Sequence, residues 1–320
     1  MHNVLIIGLG QIGMGYDLEL DSEAFVLTHA RAFGTHSSFQ LVGGVDLLQQ
    51  RCELFGKHYD CYSSTDLVAA LRQTAPDIVV IASPTRQHGA VLRAVLEQSK
   101  PRLILCEKPL SFEIEEAQSM VAACKAHDCL LFVNYMRRSE PGALEVKRRL
   151  LKGLIATPIK GVAWYSKGLF NNGSHFFNLL ELWLGSMKEF KIIESGRMWD
   201  GLDPEPDVQV IFERGTVNFL AAREECFSHH EIELVAQNGR LRYEQGGGKI
   251  VWQAAVADPT VDGYTVLSSA GETIQSEGFR SQWHVTNQLA ACLEGQHADV
   301  CSGAAALQTL ESLVAIRDKL

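Results

Sequence analysis

Two charged side chains and a proline close an apolar run at Leu103-Ile104-Leu105-Cys106-Glu107-Lys108-Pro109-Leu110. A carboxylate and an ammonium at a strand end can be an ordinary exposed ion pair. The carboxyl end of a strand in a doubly wound sheet is also where ligands collect, and a lysine there can hold or release a proton beside a reacting group. A second candidate is His175, in Gly173-Ser174-His175-Phe176-Phe177. Imidazole in general titrates near neutrality, although a histidine among aromatics is more often a satisfied core or cap residue. The third is Gly8-Leu9-Gly10-Gln11-Ile12-Gly13, directly after the apolar run at 4–7. Glycines at this spacing allow a tight turn and let backbone N–H groups approach a pyrophosphate at a helix N-terminus. Asp46, ending the second apolar run, is the acid that would bind a ribose hydroxyl. Gly13 and Asp46 lie 33 residues apart, against about 20 in the usual pattern. An insertion over residues 15–27, carrying Asp17, Glu19, Asp21 and Glu23, accounts for the excess.

Other constellations carry less. Ala82-Ser83-Pro84-Thr85-Arg86-Gln87-His88 follows the run at 78–81, again at a carboxyl strand end; it reads equally as a capped helix start. Asn134-Tyr135-Met136-Arg137-Arg138, taken by itself, reads as a solvated basic turn. His229-His230-Glu231-Ile232-Glu233 falls short of the three or four converging ligands a metal needs, so no metal is expected. The 8 cysteines show no Cys-x-x-Cys spacing and several lie in apolar runs, which reads as buried, reduced thiols rather than a nucleophile.

These residues need a scaffold, and the first part of the chain supplies its grammar. Non-alternating apolar runs at 4–7, 41–45, 78–81, 103–105 and 130–133 are separated by helical patterns at 47–58, 66–73, 87–98 and 114–127. Strands of that kind are covered on both faces, which predicts a doubly wound parallel α/β sheet, a Rossmann domain, over residues 1–135. Residues 136–320 read differently. Helical patterns at 142–152 and 175–184 precede alternating strands with turn signals at Glu213-Arg214-Gly215 and Asn238-Gly239, and helices at 281–293 and 304–319 close the chain. This predicts an α+β domain with a large, open-faced, predominantly antiparallel sheet. At 320 residues, two domains are the natural division. A net charge of -9 with no concentrated basic patch argues against nucleic acid. No apolar stretch reaches the roughly 20 residues that cross a bilayer, and no basic leader precedes the first strand, so a cytoplasmic location is expected.

GLGQIG, SPTRQH, CEKPL and NNGSHFFNLL, in this order and ahead of an antiparallel sheet domain, resemble the Gfo/Idh/MocA family of glucose–fructose oxidoreductase and inositol dehydrogenase. The resemblance implies a nicotinamide cofactor held by Gly8, Gly10, Gln11, Ile12, Gly13, Asp46, Ser83, Pro84, His88, Glu107 and Lys108. NAD is favoured over NADP, because Asp46 would repel a 2′-phosphate and Leu47 and Leu48 offer no compensating charge. It also implies that Lys108 and His175 are catalytic, with Glu107 and Pro109 positioning the lysine, often across a cis Lys–Pro bond. Asn171, Asn172, Arg138 and Tyr135 are the implied substrate-binding residues. The family's Asp four residues before the histidine is Asn171 here, and its frequent second Asp after the histidine is Asn178. An amide holds a hydroxyl but cannot carry a proton, which shifts the expected proton work toward His175. The implied substrate is the secondary alcohol of a sugar, cyclitol or sugar derivative, with a nucleotide-linked or amino sugar as the narrower expectation. A homodimer or homotetramer assembled through the second sheet is also implied. Two alternatives are a cofactor-binding regulator without turnover and an enzyme that uses NAD transiently for net hydrolysis or epimerisation.

Overall fold

The computed structural model describes all 320 residues, Met1–Leu320, and they pack as two units. One comprises Met1–Ser139 with Phe279–Leu310, the other Glu140–Gly278 with Glu311–Leu320. The division read from the sequence, 1–135 and 136–320, follows the chain without interruption, whereas in the structure residues 279–310 pack with the first unit.

The first unit holds a six-stranded parallel sheet of β1 (His2–Ile7), β2 (Phe39–Val45), β3 (Tyr62–Ser64), β4 (Ile78–Ile81), β5 (Leu103–Cys106) and β6 (Leu130–Val133). Its order is β3-β2-β1-β4-β5-β6. Every residue of β4 and β5 is buried, as strands covered on both faces must be. The covering helices are α1 (His29–Thr35), α2 (Gln49–Tyr59), α3 (Leu67–Thr74), α4 (His88–Gln98) and α5 (Ile114–Ala126). The strand order reverses direction between β1 and β4, the switch point where a doubly wound sheet opens a crevice. The three-residue edge strand β3 carries no apolar run, so pattern reading passes over it.

In the second unit, α6 (Pro141–Leu151) and α7 (Ser174–Leu184) accompany a nine-stranded sheet. The strands are β7 (Ile159–Tyr165), β8 (Met187–Trp199), β9 (Asp203–Phe212), β10 (Gly215–Ala221), β11 (Glu231–Ala236), β12 (Gly239–Glu244), β13 (Lys249–Ala257), β14 (Thr265–Leu267) and β15 (Glu272–Ile274). All pairings are antiparallel except β7 with β10. The side chains alternate as expected: Ile232 and Leu234 are buried while Glu233 and Val235 are exposed. Phe177 of α7 stacks on Phe219 at 5.3 Å, and Trp183 meets Tyr243 edge-on at 5.8 Å. Each such buried aromatic contributes on the order of 2 kcal/mol.

The second hairpin turn lies one residue earlier than its sequence signal. Gln237 and Asn238 make the turn, and Gly239, at a positive φ of 157° that L side chains rarely adopt, already pairs with Ala236. The Asn238 amide is committed elsewhere: it accepts from Ala156 N and donates to Leu154 O, both at 2.9 Å. Two helices complete the chain, α8 (Ser281–Leu293) and α9 (Gly303–Arg317). Val285, Leu289 and Ala290 of α8 share a core with Val4, Ile6 and Phe33, which is why this segment belongs with the parallel sheet.

Candidate active site

After β1 the chain turns at Gly8, whose φ of 100° is a conformation L side chains rarely adopt. A Cβ at Gly13 would overlap the Gly8 carbonyl oxygen, so both glycines serve the turn itself. Gly10 is different. A Cβ there would find Arg51 Nη1 at 3.8 Å as its nearest neighbour, so no protein atom demands a glycine. The wide turn Gln11–Gly15 follows, with Gly15 N donating to Gly10 O at 3.0 Å and Tyr16 N to Gln11 O at 2.9 Å. The space beside Gly10 is a cleft of about 590 Å³ lined by Gly8, Gly10, Gln11, Ile12, Asp46, Ser83 and Pro84, among others.

Asp46, at the end of β2, is an organising acceptor. Its Oδ2 takes Leu9 N at 2.8 Å and its Oδ1 takes Leu48 N at 2.9 Å. Arg51, one turn into α2, lies 3.3 Å from the same Oδ2 and also lines the cleft. Leu47 and Leu48 offered no charge, but the helix brings one from beyond them, and only the register of α2 reveals it. Ser83 Oγ is buried with no partner in the protein. An open cradle at Gly10, an acid at the strand end and an orphaned hydroxyl fit a dinucleotide. His88 stands behind this wall. It is fully buried, with Nε2 2.9 Å from Ser83 O and Nδ1 3.2 Å from Leu110 O. Burial lowers its pKa despite those two carbonyls, so the ring is neutral and its single N–H donates to one of them.

Lys108 follows the end of β5, across a cis bond to Pro109. The Glu107 carboxylate beneath it receives His29 Nε2 at 2.7 Å and Asn134 Nδ2 at 2.6 Å, both on Oε1. Burial alone would raise the Glu107 pKa, but the hydrogen bond and charge of His29, the Asn134 amide and the Lys108 charge together hold it below the usual range. An ionised carboxylate is thus built into the strand end. Tyr135 is buried nearby in sequence, and Arg138 Nε donates to Asp299 O at 3.0 Å.

In the second unit, the wide turn Gly168–Gly173 leads into α7 and carries Asn171 and Asn172. Two carboxylates of β9 hold its backbone: Asp203 takes Phe170 N at 3.0 Å and Asn171 N at 2.8 Å, and Glu205 takes Gly168 N at 3.1 Å. Burial outweighs the donated N–H groups and pushes the Asp203 carboxyl up. Neither acid was visible as a site residue, since each acts 32 or more positions away in sequence. Asn172 Nδ2 donates to His230 Nε2 at 2.8 Å, and the His230 ring stacks on Phe176. His229 instead lies against Trp164, so the adjacent histidines serve different partners. His175 is buried in the first turn of α7.

The sequence profile of an oxidoreductase family with an NAD-binding Rossmann fold, Gfo/Idh/MocA, matches residues 2–135. Inositol 2-dehydrogenase 4 of Saccharopolyspora erythraea is 32% identical over 153 residues, which are 47% of this chain and 43% of that protein. The NADP(+)-dependent D-xylose 1-dehydrogenase of Haloarcula marismortui is 35% identical over 85 residues, 27% of this chain and 23% of its own length. The chain therefore matches less than half the length of either relative. Among solved structures, the WlbA dehydrogenase of Bordetella pertussis, in complex with NADH and UDP-GlcNAcA, superposes with a TM-score of 0.78. That likeness covers 100% of this chain and 96% of the other at 18% identity, and it speaks for the fold. No helix is long and apolar enough to cross a membrane.

Proposed function

We infer, for a chain that belongs to the Gfo/Idh/MocA oxidoreductases through its NAD-binding Rossmann domain at residues 2–135, a dehydrogenase that acts on a secondary alcohol or the matching ketone of a sugar or cyclitol. The observation that carries this reading is the pairing, in one sheet, of an open glycine cradle beside Asp46 with Lys108 mounted at the end of β5. The dinucleotide would be held by Gly8, Gly10, Gln11, Ile12, Asp46, Ser83 and Pro84, and Gly13 keeps their turn tight. When bound, a nicotinamide accepts or returns the carbinol hydride.

What the protein supplies is proton handling and position. Lys108 Nζ takes the hydroxyl proton in the oxidative direction and returns it in reduction. His175 is the second proton carrier, and with an amide at 171 it takes the larger share. Asn171, Asn172, Tyr135 and Arg138 are assigned to substrate hydroxyls. NAD is preferred, since the Asp46 carboxylate opposes a 2′-phosphate; Arg51 at 3.3 Å offsets part of that opposition, so the preference is one of degree. Inositol and xylose dehydrogenases among the relatives, and the UDP-sugar bound to the structural neighbour, support a polyol or sugar, with nucleotide-linked or amino sugars as the narrower choice. Assembly through the open face of the second sheet completes the proposal, on the strength of half-exposed Trp164 and exposed Val235 there.

The test is a panel of polyols, free sugars and nucleotide sugars with NAD and NADP, followed by nicotinamide absorbance. Lys108→Ala should abolish turnover while NADH affinity stays within about tenfold, about 1.4 kcal/mol; an active variant would sink the assignment. Tight NAD binding without turnover on any compound would instead indicate a regulator, and conversion without net nicotinamide reduction a transient use of NAD.

A further inference from the structure

We propose that His29 is a positioning residue for Lys108: set in place by a buried network at the head of α1, its imidazole clamps the Glu107 carboxylate that adjoins the lysine turn. The inference rests on the role assigned to Lys108 above.

The clamp is made of buried groups from three separate places. His29, 1% exposed, opens α1; Asn134, 2% exposed, follows β6; Gln282, 1% exposed, lies in the first turn of α8. His29 Nε2 and Asn134 Nδ2 both reach Glu107 Oε1, and the same Asn134 nitrogen lies 3.2 Å from Gln282 Oε1. A carboxylate accepts only, so His29 must carry its hydrogen on Nε2. The other oxygen, Oε2, faces the backbone N–H of Lys108 at 3.4 Å. Rotation of the Glu107 side chain would therefore disturb the lysine's own peptide. Misplacing a reacting group by about 1 Å can cost on the order of 100-fold in rate.

A buried network just ahead of α1 holds the histidine in this place. The wide turn ends at Gly15, and the chain restarts as a helix only at His29. Between them Asp17, fully buried, receives Leu27 N at 2.7 Å, Thr28 N at 2.9 Å and Thr28 Oγ1 at 2.7 Å. Thr28 in turn caps α1 by accepting from Arg31 N at 3.3 Å. The Arg31 guanidinium closes the loop by donating to Leu20 O and Phe25 O. The residue immediately before His29 is thus fixed by side chain and backbone together. Burying an ion and a ring in one network is costly unless every lone pair is met, and an apolar pair would pack the same space with less penalty.

His29→Gln and His29→Asn separate reach from polarity. The Gln amide nitrogen extends as far as Nε2 and the Asn one stops near Nδ1. The first readout is the Lys108 dimethylamino resonance of 13C-methylated protein, assigned by its loss in Lys108→Ala and titrated with pH. We expect its titration midpoint to move in His29→Asn and to return toward wild type in His29→Gln. On the alcohol that turns over, the Asn variant should lose about 10- to 100-fold in kcat, with KM and NADH affinity within about threefold, and Gln should recover most of it. Where His29→Asn does not fold, His29→Phe keeps a ring in the slot, removes the donor and should give the same loss. A Lys108 midpoint and kcat unchanged in the donor-lacking variant, or equally changed in Gln and Asn, overturn the inference. Full activity in Lys108→Ala would instead bring down the assignment of Lys108 itself.

Discussion

Gly10→Ala should make the protein more stable and its cofactor cleft worse. Gly10 sits at φ -76° and ψ -156°, a backbone conformation open to alanine, and its Cβ would approach only Arg51 Nη1, at 3.8 Å. With no clash to relieve, the substitution acts on the unfolded chain and adds about 0.4–1 kcal/mol. For a unit of this size that is a rise of roughly 1–4 °C in Tm. The methyl nevertheless stands in the cleft where a pyrophosphate must come close to the backbone. Overpacking of that kind costs about 1–3 kcal/mol, hence about a 5- to 150-fold rise in the NADH Kd. Gly13→Ala is the contrast, because its methyl overlaps the Gly8 carbonyl and the turn itself must give way. Thermal unfolding and NADH fluorescence titration on the same preparations measure both quantities. A stabilised Gly10→Ala variant that binds NADH within twofold of wild type would refute the placement of the pyrophosphate beside Gly10.

Two further predictions concern charge. Asp46→Ser removes the carboxylate but leaves Arg51 at the cleft, so the ratio of NADPH to NADH affinity should move at least about tenfold toward NADPH, about 1.4 kcal/mol. NADH itself should also weaken, since Leu9 N loses its acceptor, and an unchanged ratio in paired fluorescence titrations would count against the ribose role of Asp46. Glu107 has a folded pKa below the ordinary glutamate value of 4.5, so its contribution to stability is full above that value and is lost as pH falls through the folded pKa. Urea unfolding midpoints of Glu107→Gln should therefore fall less steeply than wild type below about pH 4.5, and parallel slopes would show that the carboxylate is not held ionised in the fold.

The parts of this molecule that could be read from the sequence are those whose cause is local. Non-alternating runs such as Ile78–Ile81 announce a strand covered on both faces, and the glycine spacing announces its turn. The 33-residue gap from Gly13 to Asp46 pointed to extra chain after the glycine turn, and in the structure α1 begins only at His29. What escaped depends on groups that only the fold assembles. His29 lies 78 positions from the Glu107 it clamps, Arg51 reaches Asp46 through the register of α2, and residues 279–310 join the parallel sheet because α8 completes its core.

Residue 171 makes the same point for the second unit. The sequence suggests that a carboxylate is missing there, with an amide in its place. In the fold a carboxylate, Asp203 of β9, reaches the backbone of that turn, and its two oxygens accept from the N–H groups of Phe170 and Asn171. Its charge anchors the turn into α7, and its pKa is raised by burial. An acid so placed fixes where the Asn171 and Asn172 side chains start, while Asn172 is oriented in turn by His230 at 2.8 Å. The turn's backbone is thus held by acids of β9, and the amide at 171 can donate and accept hydrogen bonds but cannot exchange a proton.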